Sequence, residues 1–69
     1  MESKSEISKE IGNKIRKARE EARLTQLEVA NTSGINVTYY AQIERGEVNP
    51  SIDKVQRIAK TLNITIDIC

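Results

Sequence analysis

Apolar residues recur along the chain at helical spacing. Ile7, Ile11, Ile15, Ala18 and Ala22 stand four, four, three and four residues apart, which predicts one face of an amphipathic first helix that stops near Ala22 to Leu24. Ser3 to Glu6 reads as a capping box at its start.

The stretch "LTQLEV" carries the strongest start signal. Thr25 suits an N-cap, Glu28 completes a capping box three residues on, and Leu24 and Val29 are spaced as a hydrophobic staple. Asn31, Thr32, Ser33 and Gly34 are poor helix formers, so the second helix has about two turns. The same grammar repeats at once: Asn36 suits a cap, Ile35 and Tyr40 are spaced as a staple, and Gly46 supplies the stop. A third helix over Val37 to Arg45 follows.

Ser51 suits the cap of a fourth helix in which Ile52, Val55, Ile58, Ala59 and Leu62 share a face, with Asn63 ending it. In the tail, Ile64, Ile66 and Ile68 alternate with polar residues. That pattern fits a short strand, while Thr65 equally suits the cap of a fifth helix.

Sixty-nine residues are enough for one small domain, here 1–69. The apolar content is Ile, Leu, Val and Ala without Phe or Trp, which suits helix-on-helix packing and an all-α fold. No apolar run approaches the roughly 20 residues of a membrane span, and the charged start lacks a signal-like apolar stretch, so a cytoplasmic location without membrane association is expected. There is no His, the one Cys is Cys69, and no glycine-rich phosphate loop occurs. Neither an enzyme nor a metal site is expected, nor any cofactor or small-molecule site. Residues 25 to 50 hold one base and three acids, against seven bases and five acids in residues 1 to 24. The net charge of +1 therefore decides nothing about nucleic acid, because the placement of charge is what matters.

Two short, separately capped helices joined by a tight glycine-containing turn, over residues 25 to 45, match a helix-turn-helix. Ala30 is small enough for a close crossing, Gly34 permits the turn, and Val29, Ile35, Tyr40 and Ile43 supply apolar anchors. The stretch "TQLEVANTSGINVTYYAQIERGEVNPSIDKVQRIAKTLNI" resembles the helix-turn-helix domain of the Cro and phage-repressor type, the XRE family. The most specific pieces are "TQ", Ala30 with Gly34, "IERG" and "PS". The resemblance implies a compact, lambda repressor-like bundle of four or five helices that binds double-stranded operator DNA as a homodimer. In many relatives the end of the domain forms the dimer contact, and Ile64, Ile66 and Ile68 of the tail 64–69 are apolar enough to suggest self-association.

Within the third helix, Tyr40, Ile43 and Glu44 stand at i, i+3 and i+4 and should point inward together. A carboxylate at the core edge needs a partner. Arg19 flanks the first helix's apolar stripe, and the family pattern pairs an Arg at that position with the Glu of "IERG". Thr38, Ala41, Gln42 and Arg45 form the opposite face, with Val37 and Tyr39 beside it. A stripe of small, mostly uncharged groups is unusual for a merely solvated helix face. It suits base edges: Gln42 pairs bidentately with adenine, Thr38 donates or accepts, and Val37 and Ala41 meet thymine methyls. Asn36 and Tyr39 complete the expected base-contacting set. Two readings stand for Tyr39, a ring lying along the DNA or an exposed aromatic covering the fourth helix or the following loop.

Phosphate contacts are expected from Gln26 at the start of the second helix, from Arg45, and from Asn49, Ser51 and Lys54 around the start of the fourth. The resemblance adds that Gln26's position and the fourth helix's start meet the DNA backbone. Few cations are involved, so a shallow salt dependence of about three to five released counterions per dimer is expected. The function indicated is a sequence-specific transcriptional regulator, a repressor or controller. The alternative is a protein-interaction module of the same fold, like bridging factors or antitoxin-type partners.

Overall fold

The structure, a computed structural model, describes residues 4–65. Four helices follow one another: α1 Lys4–Glu21, α2 Gln26–Ser33, α3 Val37–Arg45 and α4 Ile52–Leu62. Ser3 of the expected first cap, together with Ile66, Ile68 and Cys69 of the tail, lies outside the described residues.

Local chemistry sets the boundaries from the end of α1 onward. Thr25 accepts the Glu28 N–H at 3.1 Å while Glu28 accepts the Thr25 N–H at 2.9 Å, a complete capping box. Asn36 Oδ1 accepts the N–H groups of Thr38 and Tyr39 at the start of α3, and Ser51 Oγ accepts that of Lys54 at the start of α4. All four helices end the same way. Arg23, Gly34, Gly46 and Asn63 take left-handed backbone conformations, with φ of 60°, 70°, 73° and 56°. The next residue in each case donates its N–H back across the last turn: Leu24 to Arg19, Ile35 to Ala30, Glu47 to Gln42 and Ile64 to Ala59. This is the Schellman arrangement, in which the residue after the left-handed one commonly packs against the helix it closes. Here Leu24, Ile35 and Ile64 turn back onto the core.

The core is built around Tyr40, Ile15, Ile43, Ile58, Val29 and Val55, all essentially inaccessible to solvent. Burying side chains of this size contributes about 1.5–3 kcal/mol each. Chiefly, α1 lies on α3, while α2 lies on α4 and α3. The expected inward set of α3, Tyr40, Ile43 and Glu44, is buried.

Three apolar positions depart from the expected stripes. Ile7 and Ala22 are exposed, and Ser8 and Gly12 are buried in their place. α1 approaches the backbone of α3 closely at Gly12, where an added Cβ would meet the carbonyl oxygens of Ile43 and, at 2.6 Å, of Glu44. The buried residues of α1, Ser8, Ile11, Gly12 and Ile15, span an arc whose centre lies about 90° around the helix from Ile7, which leaves Ile7 outside it. Ala22 lies beyond the end of α1, in the turn. Ile52 is 60% exposed although it shares the α4 stripe. It is the first residue of its helix, and helical side chains lean toward the N-terminus, so its side chain extends past the end of the core.

Candidate nucleic-acid interface

The α2–α3 turn spans only Gly34 to Asn36, and it is fixed from both sides by the Gly34 stop and the Asn36 cap. Ala30, without accessible surface, lets α3 cross α2 closely. Asn36, Val37, Thr38 and Arg45 are exposed along α3, with Ala41 and Gln42 half-buried between them. Asn36 Oδ1 is occupied by the cap, which leaves its amino group as the outward donor.

Tyr39 is half-buried against the core, and the Lys54 ammonium sits 4.5 Å from its ring centroid. The ring therefore leans toward α4 and joins the outer side of α3 to the start of α4 by a cation–π contact. Asn49 and Ser51 are exposed next to it.

Behind the outward face lies a buried polar cluster. Arg19 donates to Glu44 through Nε at 2.6 Å and Nη2 at 3.2 Å, and its Nη1 donates to the Leu24 carbonyl at 2.9 Å. Gln26 Nε2 donates to the second Glu44 oxygen at 3.0 Å. Burial by itself raises the Glu44 pKa, but the Arg19 and Gln26 hydrogen bonds, with the Tyr40 hydroxyl close by, outweigh it and hold the carboxyl below its ordinary value. Glu44 in turn holds the Arg19 pKa above its ordinary value. The Tyr40 hydroxyl is buried without a partner in hydrogen-bond geometry, and burial followed by the Glu44 charge raises its pKa.

Besides Ser51, which caps α4, and Lys54, which lies over Tyr39, two more of the expected phosphate ligands have other contacts. One amide hydrogen of Gln26 is directed at Glu44, leaving the second for any outside ligand. Arg45 forms a bidentate pair with Glu47, Nε to Oε2 at 2.9 Å and Nη2 to Oε1 at 3.1 Å. The pair raises the Arg45 pKa and lowers that of Glu47. Sequence reasoning missed Glu47 because residues two apart do not meet on a helix. The signal was the glycine between them, whose left-handed backbone turns the chain back under Arg45.

Among the described residues, no helix is long and apolar enough to cross a membrane, and no three His, Cys, Asp or Glu side chains are grouped to hold a metal.

A short capped helix, a glycine turn and a second helix with a buried anchoring face and an open outer one define a helix-turn-helix. A family model described as helix-turn-helix matches residues 15–69. The chain belongs to the helix-turn-helix family of the Cro and phage-repressor type. It is 34% identical over 81% of its length to an immunity repressor protein of Bacillus phage phi105, and 36% identical over 77% to the transcriptional regulator DdrOP3 of Deinococcus deserti. It covers 39% and 41% of those two proteins. A third relative, the ImmF control region 10 kDa protein of phage phi105, is 35% identical over 87% of this chain and is itself 67% covered. The first two of these relatives are named as a repressor and a transcriptional regulator, not as enzymes.

Proposed function

We propose that the chain is a sequence-specific DNA-binding regulator, a repressor or controller that inserts α3 into the major groove of a palindromic operator as a homodimer. The observation that carries this reading is the contrast between the faces of α3. Tyr40, Ile43 and Glu44 are buried, while Val37, Thr38, Ala41 and Gln42 form an outer strip without a charged side chain. On this reading Asn36, Val37, Thr38, Ala41 and Gln42 meet base edges, with Tyr39 at the rim. Gln26, Arg45, Asn49, Ser51 and Lys54 meet phosphates, Gln26 through its remaining amide hydrogen. Support for repression comes from the phage relative named as an immunity repressor.

Selection of randomised duplexes by the chain at two salt concentrations tests the proposal. Enrichment of a palindrome with half-sites about one helical turn apart is expected. Failure to enrich any motif with a folded protein would reject it in favour of a protein-interaction module.

A further inference from the structure

The two cations proposed to meet phosphates at the ends of α3 and α4 are held differently. Lys54 rests over a neutral ring, so its ammonium keeps both its charge and its N–H donors for an incoming anion. Arg45 faces a carboxylate that takes two of its N–H groups in the fork geometry a phosphate would use. A phosphate approaching the other edge of the guanidinium meets a pair with no net charge.

The Arg45–Glu47 pair is built into the helix stop. Gly46 turns the chain at φ 73°, and the Glu47 N–H donates to the Gln42 carbonyl at 3.0 Å, which fixes the backbone from which Glu47 reaches back. Stability does not account for a carboxylate here. Both side chains are more than half exposed, and exposed pairs contribute little. Glu47 also follows the C-terminus of α3, the end of a helix that disfavours negative charge. The pair borders a cleft shared with Lys9, Arg16, Arg19 and Glu44. Glu44 is already engaged by Arg19 and Gln26. Arg16 pairs with Glu20 on its own helix, so among the carboxylates lining this cleft Glu47 is the one that faces Arg45.

We infer that Glu47 sets the affinity of the chain for DNA by competing with a backbone phosphate for the Arg45 guanidinium, an inference that rests on the DNA-binding reading above. Glu47 is in this sense a built-in phosphate mimic that lowers affinity for any duplex without altering which bases are read.

The test uses the full chain and a duplex enriched by the wild-type protein, with Glu47→Gln, Arg45→Gln and the double variant. Glu47→Gln should bind about threefold to tenfold more tightly, and the log–log salt dependence should steepen by about 0.9 per protomer. The gain should vanish in the Arg45→Gln background, and the ranking of operator variants should not change. Unchanged or weaker binding by Glu47→Gln overturns the inference while leaving the DNA-binding reading intact. So does an equal gain without Arg45, which would mean that Glu47 repels phosphate directly. A folded wild-type chain that binds no duplex removes both.

Discussion

Arg19 and Glu44, twenty-five residues apart in sequence, meet through two hydrogen bonds at the junction of α1 and α3, with the Glu44 side chain only 2% exposed. Arg19 also holds the Leu24 carbonyl, and Glu44 also accepts from Gln26. One ion pair therefore ties together α1, the turn after it, the start of α2 and the inner face of α3.

Removing one partner strands the other. Arg19→Met should destabilise by about 3–5 kcal/mol, because it leaves a nearly inaccessible carboxylate with only the Gln26 amide. Arg19→Met combined with Glu44→Leu should recover much of that loss, since a buried pair is often replaceable by apolar residues. Urea denaturation of the singles and the double checks both values. Equal destabilisation by the double and the worse single would contradict the account.

The same carboxyl predicts the acid limb of stability. Unfolded, Glu44 titrates at about 4.3; folded, its pKa is lower, so between the two values the unfolded chain binds more protons. Its contribution is fully present above about pH 4.3 and is lost as the pH falls through the folded value. Tyr40 acts at the other end: its folded pKa is raised, so stability declines above about pH 10, where the unfolded tyrosine ionises. Thermal melts across pH should show both limbs, with the acid limb shallower in Glu44→Gln and the alkaline limb shallower in Tyr40→Phe.

Two backbone positions should respond in opposite directions. Gly12→Ala places a methyl 2.6 Å from a backbone carbonyl oxygen that cannot rotate away, and should cost about 1–3 kcal/mol. Arg23 holds a left-handed conformation with a side chain attached, so Arg23→Gly should stabilise by about 0.5–1 kcal/mol after allowing for the greater freedom of glycine in the unfolded chain. Differential scanning calorimetry should move Tm down for the first and up for the second.

The outer face of α3 should be separable from the fold. Thr38 is exposed and Gln42 half-buried, so Thr38→Ala with Gln42→Ala should unfold within about 0.5 kcal/mol of wild type. Discrimination against operator variants should fall by about 1–3 kcal/mol at the position Gln42 reads. Competition binding with matched and mismatched duplexes measures this, and retained discrimination would place base reading elsewhere.

What could be read in the sequence was local. Thr25 with Glu28, Asn36, Gly46 and Ser51 each carry their helix boundary in their own chemistry, and the inward face of α3 follows from spacing alone. The misplaced positions are those decided by packing. Gly12 looks like an interruption in a helical stripe, yet it is buried where a side chain would run into the backbone of α3, while Ile7 is exposed. Gln26 gives no sign in sequence that its amide turns toward Glu44, because their meeting depends on how α2 and α3 cross.

The repeated left-handed helix stops have a consequence for how such a chain varies over evolution. α2, α3 and α4 are each started, and all four helices ended, by residues within a few positions of their own boundaries. The exposed side chains of Val37 and Thr38 take no part in those caps or in the buried core. They can therefore be exchanged while the scaffold holds its shape, whereas Asn36, whose side-chain Oδ1 starts α3, ties its own variation to the integrity of the helix.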